Sequence, residues 1–323
     1  MATAPQPTAA TDSDARTLAT PVKRRRKLRR LTTADRVVLG LMVGIPTLIE
    51  LLLVWGPALF SVLLGFTNAK YDIDQPGGVQ FVGGKNFGFI TNEYPPFWPA
   101  VEHNIIWLLF LALLATPAGL LIAVLLDQNL RGSRIYQSIF FTPVMLSLAL
   151  VGIIWHLIYS PDAGLLNSVL GTAGTPHEID WFGDSNINLW AALVAASWKH
   201  VGYIMILYLA GLKGVDPSLR EAASIDGASA TQTFFRVVFP AMRPINIVVV
   251  VITVIESLRA FDIVWVINHG TNGLELLSAL VVRNLVGEGT QIGIGAAIAT
   301  VLLVISLVPI VSYLQQTFRK EER

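Results

Sequence analysis

Six long apolar stretches govern what this chain can become. Val37 to Phe66, Ile105 to Leu126, Ile135 to Tyr159, Ile187 to Leu212, Ile245 to Ile267 and Ile292 to Leu314 each reach about the 20 residues that an α-helix needs to cross a bilayer. Inside lipid every backbone N–H and C=O must be paired within its own segment. The stretches therefore predict an all-α, polytopic integral membrane protein with six transmembrane helices. Composition agrees, because 53% of the 323 residues are hydrophobic, only 14% are charged, and the mean hydropathy is +0.60. A soluble domain of this length is less apolar. There is no cysteine, which excludes disulfides, thiolate metal sites and cysteine nucleophiles.

Charge placement sets the expected organisation. Residues 1–36 are Ala, Thr, Pro and Ser followed by the basic run Lys23 to Lys27 with Arg29 and Arg30, too polar to bury a core, so a disordered basic tail is expected. The run precedes an apolar span directly, which favours an orientation signal and an anchor for lipid headgroups over a nucleic-acid arm. A signal peptide does not fit, since the following apolar run far exceeds a secretory core of about 7 to 15 residues. A six-span domain over 37–317 and a tail over 318–323 complete the chain. With the N-terminus in the cytoplasm, 18 of the 23 Lys and Arg residues fall inside and only Lys70, Lys85 and Arg283 outside. The positive-inside rule asks for that orientation, with both termini cytoplasmic, and rejects the inverse.

The loop over 213–244, expected in the cytoplasm between the fourth and fifth spans, is the one polar segment that reads as a rigid part. Asp216 can cap a helix opening on Pro217, or Ser218 and Glu221 can form a capping box. Gly227 suits the left-handed turn that closes the helix, Ser229 can open a second piece, and Pro240 ends it.

Glu50, His156, Lys199, His200, Glu256, Arg259 and Asp262 are ionisable groups at or near membrane depth, where each is costly and so a candidate for function. Glu256, Arg259 and Asp262 stand at i, i+3 and i+6, so one helical stripe would let Arg259 pair with either acid. A structural pair inside the bundle and a lining of a pathway fit equally well. No phosphate loop of the form G-x-x-x-x-G-K-[ST] occurs, and the five histidines lack the H-E-x-x-H spacing of a zinc site. The sequence therefore predicts neither an ATP site nor a metal site nor an enzyme.

Glu221-Ala222-Ala223, Gly227 after three further residues, then Val237, Phe239 and Pro240 resemble the EAA signature of permease subunits of bacterial ABC importers. Phe81 to Phe87, Phe97-Trp98 leading to Asn104, Arg131-Gly132 with Phe140-Phe141 and Pro143, Gly164 to Asn167, and Phe261-Asp262 are similar to the carbohydrate-uptake, maltose-type branch. His269 to Gly273 depart from the Gly-Gly-Pro turn common there. The resemblance implies a bacterial inner-membrane subunit that forms half of a path for a sugar or oligosaccharide. It implies three partners: a second six-span permease subunit, a cytoplasmic ABC ATPase dimer that would carry ATP and Mg, and an extracytoplasmic solute-binding protein. It assigns ATPase coupling to Glu221, Ala222, Ala223, Asp226, Gly227 and Pro240, with Ala222 and Ala223 allowing close approach. Another solute, such as a glycerophosphodiester or polyol, and an ion-coupled secondary transporter are the alternatives. An inverted repeat and uptake by the chain alone would mark the latter.

Overall fold

The computed structural model describes residues 32–70, 78–128, 131–286 and 290–321. These residues are helical, with one isolated bridge between Thr67 and Phe81 and no strand among them. Most of the expected N-terminal tail lies outside the described residues. The chain divides into two units, Met1–Trp55 and Gly56–Arg323.

In the first unit, helix α1 (Thr33–Glu50) begins four residues before the apolar stretch. Thr32 caps it in a reciprocal box with Asp35, the Thr32 N–H donating to the carboxylate at 2.9 Å and the Asp35 N–H to the hydroxyl at 3.2 Å. A π-helical turn, Leu51–Trp55, follows. No side chain in α1 is buried.

The second unit opens with α2 (Gly56–Leu64), α3 (Lys85–Asn92) and α4 (Phe97–Phe110), the last running through a π-turn, Leu111–Ala115, into α5 (Thr116–Asp127). Next come α6 (Ser133–Phe141), α7 (Leu148–Ile158), α8 (Leu165–Leu170) and the long α9 (Asn188–Gly214). The polar loop holds α10 (Pro217–Ile225), α11 (Ala230–Thr233), a third π-turn (Phe234–Val238) and α12 (Phe239–Ala241). The chain closes with α13 (Arg243–Leu258), α14 (Asp262–Asn268), α15 (Leu277–Leu285) and α16 (Ile292–Glu321).

Each π-turn stops two residues before a proline: Pro57, Pro117 and Pro240. Proline lacks the donor for the carbonyl four residues back and its ring collides with that carbonyl. A turn widened by one residue relieves the collision, and ahead of Pro117 and Pro240 the preceding donor is recovered: Thr116 N–H bonds to Leu111 and Phe239 N–H to Phe234.

Among the described residues, four helical segments are long and apolar enough to cross a membrane: Thr33–Leu64, Phe97–Asp127, Asn188–Gly214 and Ile292–Pro309. The other two expected spans are not single straight rods. The third stretch bends by 105° between Ser133–Met145 and Leu148–Ile158. Pro143 ends the first arm and the Ser147 hydroxyl caps the second, accepting from Leu150 N–H at 3.2 Å. The fifth stretch stops at Leu258 and resumes at Asp262. There the Ser257 carbonyl receives the Asn104 amide at 3.4 Å, while Phe261 N–H, its normal helical donor, turns to Arg259 at 2.7 Å. A buried side chain thus replaces the missing backbone bond, as lipid-depth structure requires.

Lipid gives two helices no hydrophobic reason to meet, so small residues that permit close contact decide the packing. α5 and α9 form the most extensive helix pair. Gly119 makes the approach possible, since a Cβ there would sit 2.9 Å from the Ile204 side chain and from the Val201 carbonyl. On α9, Ala191, Ala192, Ala195 and Ala196 are buried in a cluster with Trp107, Val151, Leu193 and Ile263. A second cluster joins Ala123, Ile204, Met205 and Tyr208 to Val238 and Met242, so the polar loop is seated on the α5–α9 pair.

Candidate functional site

The polar loop is built as its residues require. Asp216 caps α10, its carboxylate accepting from Ser218 N–H at 2.9 Å, with Pro217 in the first turn; the alternative box between Ser218 and Glu221 is not the one formed. That hydrogen bond from the Ser218 backbone holds the Asp216 carboxyl below its ordinary range. Asp226 ends the helix, its N–H bonding to Ala222 at 3.0 Å. Gly227 follows with φ +74°, a left-handed turn that a Cβ would strain. Ser229 then opens α11 in a capping box with Gln232.

The faces of this element differ. Ala223 is buried, and so is Val238 beyond the turn; α10 packs on α11 and the π-turn that carries Val238. Glu221, Ala222, Asp226, Gly227 and Pro240 are exposed, and Ile225 is 86% exposed. Of the two alanines, Ala222 alone therefore faces outward. Glu221 makes no hydrogen bond or ion pair among the described residues, so its carboxylate is not spent on capping its own helix.

Arg220, on the inner side of α10, reaches back to the bundle. Both terminal guanidinium nitrogens donate to one oxygen of Asp127 at 3.0 Å, and one also donates to the Leu212 carbonyl at 3.4 Å. Asp127 is the last residue of α5 and Leu212 lies in the last turn of α9. A cation here meets two helix C-termini, where carbonyls lack partners and the helix dipole is negative. Beside this contact lies a cavity of about 370 Å³ bordered by Val124, Ser224, Ala228, Thr233 and Phe234.

A second polar group lies midway along the bundle. His200 on α9 is 2% exposed, and its Nε2 stands 3.2 Å from the Thr116 hydroxyl and 3.4 Å from that of Thr253. The Thr253 hydroxyl donates to Val249 at 2.8 Å and lies 3.2 Å from Thr116. Nδ1 has no hydrogen-bond partner and lies 3.7 Å from the Glu256 carboxylate. The tautomer that keeps a lone pair away from that carboxylate has Thr116 donating to Nε2 and Nδ1–H facing Glu256.

Glu256 is therefore turned toward His200 and not toward Arg259. The expected stripe of Glu256, Arg259 and Asp262 fails because the helix breaks between them: Arg259 caps α13 and Asp262 starts α14, both exposed, with no ion pair for either among the described residues. His200 stood among the ionisable groups at membrane depth, but its partners lie on three separate stretches and no spacing joins them. Lys199 is accounted for structurally, its amine donating to the Leu146 carbonyl at the 105° bend at 2.5 Å.

Helices fit to cross a membrane, with a buried polar cluster among them, define a helical membrane protein. The chain belongs to the family described as binding-protein-dependent transport system inner membrane component, whose profile matches residues 115–321. It is accordingly a permease subunit of an ABC importer, a transport component and neither an enzyme nor an ion-coupled secondary transporter. It is 29% identical over 304 residues, 91% of this chain and 92% of the relative, to a xylose/arabinose import permease of Haloferax volcanii. It is 32% identical over 239 residues, 72% of this chain and 75% of the relative, to an arabinooligosaccharide transport permease of Bacillus subtilis. In fold it is similar to a chain of a bacterial ABC transporter involved in alginate import, with TM-score 0.74 and 21% identity over 88% of this chain and 96% of that one.

Proposed function

We propose that this chain forms half of the path for a sugar or oligosaccharide in an ATP-driven importer of the bacterial inner membrane. It crosses six times, with the third span bent and the fifth broken, and keeps both termini in the cytoplasm. Its partners are a second six-span permease subunit, an ABC ATPase dimer that binds ATP and Mg, an extracytoplasmic solute-binding protein and the surrounding lipid. Sugar as the solute rests on the names of the relatives, which include an α-glucoside transport permease of Rhizobium meliloti, 32% identical over 72% of this chain. A permease for osmoprotective compounds from Synechocystis, 30% identical over 83% of this chain, favours a polyol-like solute as the second reading.

The observation that carries the coupling role is the outward face of α10. A rigid, capped helix offers an unspent carboxylate at Glu221, a small residue at Ala222 and a bare Ile225. A cleft on an ATPase can grip such an element and pass displacement to the spans more faithfully than a flexible loop. Asp226 and Gly227 close that helix and Pro240 closes the loop. The cluster of Thr116, His200, Thr253 and Glu256 is the polar lining of the path, since Glu256 remains 37% exposed at one end of it. Arg259 and Asp262, exposed at the break, flank the same route.

Uptake of a panel of labelled sugars and polyols, compared in cells with and without this chain, tests the solute. Labelling a cysteine introduced at Glu221 tests the side: reaction in intact cells would place α10 outside and end the coupling proposal.

A further inference from the structure

We propose that Arg220 is a positioning residue, the strap through which a displacement of α10 reaches the α5–α9 pair; this rests on the coupling role given to α10 above. The attachment of α10 to the bundle is sparse. Its start joins α9 through Val215 and Asp216, and its end passes through Gly227 to α11 and the π-turn on which it packs. The cavity of about 370 Å³ leaves the side between α10, α11 and α5 unpacked. Neither chain connection holds the body of α10 directly on the α5–α9 pair. Arg220 supplies that direct tie, and it grips both helices of the pair at once, through Asp127 on α5 and Leu212 on α9.

Beyond the strap α5 and α9 pack closely. Asp127 carries 16% of its full side-chain exposure, so water competes weakly for its oxygens. About 12 Å up α5 stands Gly119, locked against Ile204 and Val201 of α9. One turn further are Thr116 and His200, about 17 Å and 18 Å from Asp127 and Leu212 along their helices, bonded to each other at 3.2 Å. The coupling helix and the buried polar cluster are thus ends of one packed rod, and Arg220 is its only charged link to α10 among the described residues. A contiguous path earns the word coupling only when both ends bias the same movement, and the test addresses that.

The chain has no cysteine, so two cysteines introduced at Leu121 on α5 and Leu157 on α7, both exposed, can carry spin labels alone. The complex is purified by a tag on this chain from its native membranes and the label distance is measured with and without ATP plus vanadate. In the parent the nucleotide is expected to shift the distance. Arg220→Gln should keep the ATPase bound and its basal hydrolysis within about twofold, yet lose most of the shift. Arg220→Lys, which keeps a cation able to donate to both Asp127 and the Leu212 carbonyl, should recover most of it. A full shift in Arg220→Gln with the ATPase bound overturns the strap and leaves the coupling helix standing. If Arg220→Gln fails to assemble, Asp127→Asn, which weakens the same link from the α5 side, is measured in its place, and a full shift there with the ATPase bound overturns the proposal. Absence of any ATPase from the parent complex overturns the coupling reading itself and the strap with it.

Discussion

The Nδ1 nitrogen of His200 lies 3.7 Å from a carboxylate oxygen of Glu256, the histidine 2% exposed and the acid 37% exposed. The pair bridges α9 and α13 and opens to one side, so a bound solute would meet the carboxylate while the imidazole holds it from behind. Glu256→Gln keeps the shape and removes the charge. A charge-assisted hydrogen bond to a solute hydroxyl contributes about 1.5 kcal/mol or more, so uptake should weaken by about tenfold in KM with the ATPase still bound. Unchanged uptake together with a lower unfolding temperature would make the pair structural.

Gly227 has open space around it, and its φ of +74° alone resists substitution. A β-branched residue there strains the turn by about 1–2 kcal/mol or moves it out of the left-handed region. Gly227→Val should therefore misplace Glu221 and Ala222 and release the ATPase, while Gly227→Asn, which tolerates that φ, should retain most coupling. Pull-down of the ATPase with each variant measures the difference.

Acid should fray the start of α10. The Asp216 carboxyl titrates below its ordinary range when folded, because the Ser218 N–H donates to it. A folded value beneath the unfolded one means that the cap's contribution is complete above about pH 4 and disappears as the pH falls through the folded value. Hydrogen exchange over 217–225, corrected for intrinsic rate, should show an added acid-dependent opening that Asp216→Asn lacks.

At Gly119 the expected fault is overpacking. A larger side chain meets Ile204 and the Val201 carbonyl at 2.9 Å, and such collisions cost about 1–3 kcal/mol. Gly119→Val should lower the unfolding midpoint of the purified complex by several degrees. Gly152, whose nearest neighbour would be 3.4 Å from an added Cβ, should accept alanine with little change.

Asn167 knots the loop between α7 and α9. Its amide donates to the Pro161 and Ile179 carbonyls, each at 2.9 Å, and its carbonyl accepts from the Trp181 indole at 2.9 Å. Replacement by alanine strands three groups, and each buried orphan costs about 1–3 kcal/mol. Limited proteolysis within 160–182 should quicken markedly in Asn167→Ala and at least as much in Asn167→Asp, whose buried carboxylate would face the Pro161 and Ile179 carbonyls.

Much of the architecture was legible because membrane segments announce themselves by length and apolarity. The α10 turn was legible because Asp216, Pro217, Gly227 and Ser229 act over a few residues. The bend and the break were not, since Lys199 fills one and Asn104 the other from distant stretches. For the same reason the pairing of Arg259 with Glu256 that the spacing allowed does not form: i, i+3 arithmetic presumes an unbroken helix, and the break is made good by a side chain on α4.

The π-turn at Leu111–Ala115 gives the membrane helix from Phe97 to Asp127 a change of phase. One residue added to a helix rotates everything beyond it by about 100°. Asn104 before the turn and Gly119 after it thereby address different neighbours, α13 and α15 in one case and α9 in the other. Removing a single leucine from this stretch would leave its hydropathy and its reach across the bilayer almost untouched. It would nonetheless point the upper half of the helix at the wrong partners, so a gap of one residue is a larger change here than most substitutions.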